Sequence, residues 1–306
     1  LYPYDSFGKE INLKDFPNTF KYLKQFHNEL SERMLDGKKI TKWGKQWFSL
    51  WRIRSHEVFE SSKILSPRLS TTNSFALDEK GEFYLTDSAV AIIPKDINIK
   101  YLLGLLNSKL LFFIIKNTSP FVQGKYYSYT KTYLEKLPIK IPETEKEKQI
   151  AEKIIKKVEE ILELQKKFID LKELLEKKET EKLYKFPSVS FHIKEGAEFK
   201  ELKLEKNKIY INSDDFVEIK DQKIKNFVVV YLNSNKEKFT KAKDVKNLIY
   251  NIQVPKSEEV IKEIISLSKD KEGINEKNKK LEKEIDELVY ELYGITEEEK
   301  GIIEGV

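Results

Sequence analysis

The chain has 306 residues, 40% of them apolar, with 18 Phe, 15 Tyr and 3 Trp; that is enough for two folded domains and excludes a wholly disordered chain. Cysteine is absent, and the three histidines (His27, His56 and His192) lie far apart, which excludes a disulfide framework, a thiolate metal site and a histidine-rich cluster. The net charge of +5 hides an asymmetry: residues 1–141 hold 22 Lys/Arg against 14 Asp/Glu and all four arginines, Arg33, Arg52, Arg54 and Arg68, whereas residues 142–306 hold 34 against 37. A basic, aromatic-rich half suggests a polyanion partner, although a chain that uses lysine throughout gives the same totals. No apolar run approaches the ~20 residues of a membrane span. No secretory signal opens the chain, so a piece of a cytoplasmic protein is expected.

Phe16–Leu35 has helical spacing, with Phe20, Leu23, Phe26, His27 and Leu30 on one face. Trp43, Trp47 and Trp51 follow at intervals of four, a stripe expected in the core. Strands are expected at Lys63–Ser66, Ser74–Leu77, Phe83–Thr86 and Ala89–Ile93, with Asp78-Glu79-Lys80-Gly81 as a hairpin turn. Asn98–Lys116 reads as one apolar helix capped by Asn98. Residues 117–133 are polar, aromatic and basic and contain Pro120 and Gly124, a loop composition. Leu137–Pro142 alternates as a short strand.

The fold class expected is α+β. A first domain covers 1–142, a long helix 143–183, a small α+β insertion 184–256, and a second long helix with a tail 257–306. The first helix repeats Ile150, Ile154, Val158, Ile161, Phe168, Leu171 and Leu175; the second repeats Ile274, Leu281 and Leu288. Gly294 is placed to end the second helix. Two such stripes can be buried against each other as an antiparallel coiled coil, or each helix can pack on its own globular part. In the insertion, strands are expected at Phe199–Leu204, Lys208–Ile211, Phe216–Ile219 and Phe227–Leu232, then a helix at Lys243–Tyr250.

No phosphate-cradling glycine loop, dinucleotide fingerprint or nucleophile elbow is present. Two segments have the chemistry of recognition. In the first, Arg68, Thr71, Thr72, Asn73 and Ser74 combine a planar fork, hydroxyls and an amide, which pair with base edges and phosphates; a polar β-turn has the same composition. In the second, Gln123, Lys125, Tyr126, Tyr127, Tyr129, Lys131 and Tyr133 interleave rings with cations that can meet bases and phosphates. Arg52 and Arg54 are further phosphate candidates.

At these residues the sequence resembles the target-recognition region of adenine-specific methyltransferases of restriction–modification systems, and in particular the TaqI-like C-terminal specificity domain of type II enzymes. The resemblance is carried by Tyr2-Pro-Tyr-Asp5 with Gly8-Lys9, Trp47-Phe-Ser-Leu-Trp-Arg52 and Lys63-Ile-Leu-Ser-Pro-Arg68. It continues through Phe83-Tyr-Leu-Thr-Asp87, Leu102-Leu-Gly-Leu-Leu-Asn-Ser108 and Leu137-Pro-Ile-Lys-Ile-Pro142. Glu147-Lys-Gln-Ile-Ala151 is similar to the junction in type I specificity subunits, and Ile285–Gly294 resembles a closing helix of such methylases. The resemblance implies a module that reads a short sequence in double-stranded DNA and presents one adenine to a methyltransferase domain using S-adenosylmethionine. The catalytic Asn-Pro-Pro-Tyr-type run, the glycine-containing cofactor motif and a nuclease carboxylate–lysine cluster are missing. No catalytic, cofactor-binding or metal residue is therefore expected here; the cofactor is expected in a missing catalytic domain, and the methyltransferase or nuclease portion of the same or a partner polypeptide is the expected partner. The insertion at 184–256 has no counterpart in the simplest members. A coiled-coil scaffold that binds protein and a complete methyltransferase with diverged motifs remain the rivals.

Overall fold

The computed structural model describes residues 2–305 apart from 51, 52, 54, 168–174, 177, 236–238 and 240–244. Its contacts divide the chain into two units, Leu1–Glu159 with Glu282–Val306, and Glu160–Leu281.

The first unit begins with α1 (Pro17–Lys24) and α2 (His27–Ser31) where one helix was expected. The chain breaks at Phe26, whose ψ of 17° is not helical. No residue of either helix is buried, so the anticipated apolar face is not part of the core. Arg33 ties this region down, donating from Nη2 to the carbonyls of Trp47 and Ser49. The tryptophan stripe is not a core stripe either: Trp43 is 45% exposed beneath the Lys38 ammonium, and Trp47 packs on the His27 ring. Trp51 lies outside the described residues. A two-stranded ribbon, β1 (Met34–Leu35) and β2 (Lys38–Lys39), separates α2 from this region.

After α3 (His56–Glu60), the strands β3 (Lys63–Pro67), β5 (Ala76–Asp78) and β6 (Ala89–Ile92) form an antiparallel sheet ordered β5-β3-β6. Phe83–Thr86 is not a strand. The turn at Asp78 exists, but it delivers the chain to an ion pair rather than back to the sheet. The Asp78 carboxylate sits 2.5 Å from Lys63 Nζ and accepts from the N–H groups of Glu82 and Phe83. Both partners are buried. Burial alone would raise the Asp78 pKa; the Lys63 ammonium and the two N–H donors outweigh it and hold the pKa below its ordinary value. Gly81, at φ +69°, presses the chain onto α3: a Cβ there would stand 2.2 Å from the Glu60 carbonyl oxygen.

The expected helix over Asn98–Lys116 is two helices, α4 (Ile99–Asn107) and α5 (Lys109–Thr118). Asn98 caps α4 as anticipated, accepting from the N–H groups of Lys100 and Tyr101. Ser108 is extended and caps α5, its hydroxyl accepting from Leu111 N–H and donating to Leu105 O. A serine with a cap to offer competes with helix continuation. The two helices carry the buried core residues Tyr101 to Leu106, Leu110, Leu111 and Ile115.

Leu137–Pro142 is not a strand. Tyr293 OH donates to Pro138 O and accepts from Lys140 N–H, and Tyr101 OH donates to Lys140 O, so side chains satisfy a backbone that two prolines keep out of a ladder. The long helix α7 (Glu145–Lys166) buries Ile150, Ala151, Ile154 and Val158. It packs closely on α4 at Gly104, where an added Cβ would meet Ile154 Cγ2 at 2.6 Å. The other long helix runs over Glu258–Tyr293 and is closed by Gly294 at φ +68°, as the sequence anticipates; Gly273 does not interrupt it. Within the first unit the ion pairs Lys146–Glu291 and Lys157–Glu284 link the two helices in antiparallel order. A last helix covers Glu297–Glu304.

In the second unit, β10 (Val189–His192), β11 (Lys203–Glu205), β12 (Lys208–Tyr210) and β13 (Phe216–Ile219) form an antiparallel sheet ordered β10-β13-β12-β11. The segment Phe227–Leu232, expected as a strand, belongs to a helix over Gln222–Ser234. Asp221 caps it, accepting from Lys223 and Ile224 N–H, and Ile224, Phe227, Val228 and Leu232 are buried on one face. Three consecutive valines favour strand locally; the cap and the i, i+3, i+4, i+8 spacing of the buried residues override them. The first long helix was expected to reach residue 183, but Thr180–Lys182 is a strand (β9) paired with β14 (Gln253–Pro255). Phe168 and Leu171 of its stripe lie outside the described residues, as does the start of the Lys243–Tyr250 helix, which is described over Val245–Tyr250.

Candidate nucleic-acid interface

The two recognition segments meet on one small sheet. Strands β4 (Leu69–Ser70), β8 (Tyr126–Ser128) and β7 (Phe121–Val122) are ordered β4-β8-β7, all antiparallel. Leu69 faces Ser128 and Ser70 faces Tyr127. Beyond the ladder, Tyr129 N–H donates to Arg68 O at 2.9 Å. Residues 117–133 are thus a hairpin and a short helix (α6, Lys131–Leu134) rather than mainly loop. The hairpin turns at Gln123 and Gly124, with φ of +51° and +70°, the mirror-image turn that suits strand twist.

Arg68, Thr71, Thr72, Ser74, Gln123, Lys125 and Lys131 are exposed on this sheet and its connections. Arg68 spends one donor on the Asp87 carbonyl, 3.2 Å from Nη1. Ser70 and Ser74 hydroxyls bond each other at 3.3 Å and hold the corner between them. Lys131 has no ion-pair partner among the described residues, and Lys125 Nζ lies 5.0 Å above the Tyr126 ring. Tyr126, Tyr127 and Tyr133 are half-buried; Tyr127 packs between Phe112 and Phe121.

Of the residues expected at the surface, Tyr129 is inside and Asn73 is half-buried beside it. Tyr129 is fully buried, edge-on to Phe75, and its hydroxyl donates to Asn73 Oδ1 at 2.9 Å. Burial, helped by the nearby Tyr127, pushes the Tyr129 hydroxyl pKa up. Asn73 donates from Nδ2 to Leu106 O and Ser108 O, at the break between α4 and α5. Both Nδ2 donors and one Oδ1 lone pair are spent inside the fold, so the paired donor–acceptor contact that an amide offers an adenine is no longer available. Tyr129 is thus a joint rather than a contact, and its bond to Asn73, with Asn73's bonds to Leu106 O and Ser108 O, fastens the sheet to the helical core. Arg52 and Arg54 lie outside the described residues. Phe121, 59% exposed on β7, and Leu69, 40% exposed on β4, were missed. Their only sequence signal was an apolar residue within a polar stretch; such groups can meet a thymine methyl.

Other polar clusters have structural work. His56 donates from Nε2 to Tyr4 O and faces Glu60 with Nδ1. The carbonyl first, and then the carboxylate, raise its pKa; these bonds hold the amino-terminal segment on α3. A cleft of about 650 Å³ lined by Lys9, Glu10, Lys14, Phe20, Trp47 and Phe48, among others, lies in a different part of the sequence from the sheet. None of the described helices is long and apolar enough to cross a membrane.

Outward donors, acceptors and cations on a sheet braced by the Asn73–Tyr129 hydrogen bond suit a specificity module. The TaqI-like C-terminal specificity domain family matches residues 7–139. A particular relative, the type II methyltransferase M.BstVI of Geobacillus stearothermophilus, is 30% identical over 161 residues, 51% of this chain and 28% of that protein. The chain therefore spans little more than a quarter of that relative's length.

Proposed function

We propose that the first unit reads a short sequence in double-stranded DNA for a restriction–modification adenine methyltransferase. The observation that carries this reading is the β4–β8 pairing, which sets the Arg68–Ser74 corner beside the Gln123–Tyr133 segment. Arg68, Thr71, Thr72, Ser74 and Gln123 address base edges, while Lys125 and Lys131 hold phosphates. Each phosphate contact contributes about 0.9 to the slope of log affinity against log salt. The adenine target rests on the sequence resemblance, and it would be turned out of the duplex for reaction. Methyl transfer from S-adenosylmethionine falls to a catalytic portion of the same or a partner polypeptide, in the cytoplasm. Neither the catalytic run nor the glycine-containing cofactor motif is in this sequence, so no reaction step is assigned to its residues.

The two long helices, read as an antiparallel coiled coil, would serve as spacer and docking rod; the order of Lys146–Glu291 and Lys157–Glu284 supports that arrangement. The test is selection of bound sites from random duplex by the full chain at low salt. A shared short motif is expected. Recovery of unrelated sequences with salt-insensitive affinity would overturn the reading in favour of a protein-binding scaffold.

A further inference from the structure

The duplex-reading proposal leaves the sheet of the second unit without a role, and that sheet has an unusual outer face. Its register aligns His192 on β10, Phe216 on β13, Tyr210 on β12 and Lys203 on β11 in one cross-strand row. The two-residue period of a strand puts these four side chains on the same face. The opposite face sends Ile209, Val217 and Ile219 into the hydrophobic core with Phe227 and Val228 of the Gln222–Ser234 helix. None of the three rings belongs to that core. His192 is exposed, and Phe216 and Tyr210 are half-exposed. His192 and Phe216 stack with centroids 4.5 Å apart at 21°, Tyr210 lies 5.1 Å from Phe216, and Lys208 Nζ stands 4.2 Å from the Phe216 centroid. The three rings form a continuous outward row with an ammonium at its side.

The charge of the segment points the same way. Residues 184–256 hold 15 lysines against 10 Asp/Glu, although the carboxyl-terminal half as a whole is acidic. On the face itself, Glu205 pairs with Lys203 at 2.8 Å and Glu218 sits beside Lys208 in the ladder. The rings would therefore carry the affinity and the surplus lysines the salt dependence. Flat rings combined with a cationic surround match a ligand that offers exposed π faces on an anionic backbone. A duplex hides its base faces in the stack; a single strand does not.

We propose that this sheet face binds single-stranded DNA, with His192, Phe216 and Tyr210 as stacking positions and Lys208 beside the backbone. The choice of DNA over RNA rests on the proposed reading of the first unit; the stacking chemistry does not. The test is fluorescence anisotropy of the full chain with labelled oligothymidylate, with oligouridylate and with duplex DNA as separate ligands. The wild-type chain is expected to bind oligothymidylate in a salt-dependent way. Tyr210→Ala and His192→Ala should each lower that affinity about tenfold and leave duplex affinity unchanged, while Lys131→Ala should do the reverse. Because Phe216 also packs against its neighbours, it is tested as Phe216→Leu, with circular dichroism of the variant as the check on folding. Wild-type chain that ignores oligothymidylate at low salt, or ring variants that bind it as well as wild type, overturns the proposal. Tighter binding of oligouridylate overturns the assignment to DNA. Loss of duplex binding alone counts against the first unit's role and not against this one.

Discussion

The small sheet of the first unit and the larger sheet of the second are both antiparallel, yet they leave different chemistry uncovered. On β4-β8-β7 and its connections a guanidinium, hydroxyls, an amide and ammoniums are exposed, with the apolar Leu69 and Phe121 among them. On β10-β13-β12-β11 a row of rings lies uncovered. A ladder provides only spacing and alternation; the side chains on the open face decide the rest. Directional donors and acceptors can distinguish one base edge from another, whereas a ring face accepts any base.

The largest expected effect removes the support of the first sheet region rather than its contacts. Lys63→Ala leaves the buried Asp78 carboxylate without its cation, a loss of about 3–5 kcal/mol. All three tryptophans lie in the first unit, so their fluorescence in a urea titration reports it separately. A loss below about 1 kcal/mol would mean that the Glu82 and Phe83 N–H groups suffice for Asp78.

Next in size is Arg68→Ala, which should relax base discrimination by about 1–3 kcal/mol, read as the ratio of cognate to random duplex affinity. Lys131→Ala should weaken both duplexes alike and flatten the salt slope by about 0.9. If the two variants behave identically, the division between reading and holding fails. Tyr129→Phe deletes the hydrogen bond to Asn73 at a cost of about 1 kcal/mol in stability, with duplex affinity of the folded protein intact. A selective loss of affinity instead would return Tyr129 to the contact surface.

What could be read from the sequence follows a physical divide. Elements fixed by local chemistry were legible: the Asn98 cap, the Gly294 stop, β3, β6, β13 and most of the second long helix. Elements decided by a distant partner were not. Ser108 breaks a helix because its hydroxyl caps the next one and because Asn73, far away in sequence, bonds the carbonyls at the break. Phe83–Thr86 has strand composition but follows Asp78 to Lys63. In the candidate interface, residue types identified both segments, but not which side chains turn inward. Asn73 and Tyr129 have the composition of readers; their mutual hydrogen bond, the burial of Tyr129 and the bonds of Asn73 to the helix break give them another task. The Gln123-Gly124 turn lacked the usual asparagine or aspartate signal, which concealed the hairpin.

The smallest effect sharpens the contrast between the two units through pH. In the second unit Asp215 accepts from Lys194 N–H and from Asn212; burial works against its charge, but these bonds prevail and lower its pKa. Its stabilisation is present above the ordinary carboxylate range and is lost as pH falls through the lowered value. In the first unit Asp286 accepts from Lys109 N–H at the start of α5, beside the break that Asn73 grips. Burial dominates there and lifts its pKa from 3.8 to about 6. The sign reverses: its contribution is complete below pH 3.8 and is lost as pH rises through about 6. Asp286→Asn keeps an acceptor for Lys109 N–H and removes the buried charge. At pH 4 the variant and the wild type should unfold alike by tryptophan fluorescence. At pH 8 the relief of charge burial is opposed by a weaker cap, and a net gain of about 1 kcal/mol is expected. A variant less stable than wild type at pH 8 would show that the Asp286 carboxylate is stabilised by its cap more than burial penalises it, and that both units weaken toward acid.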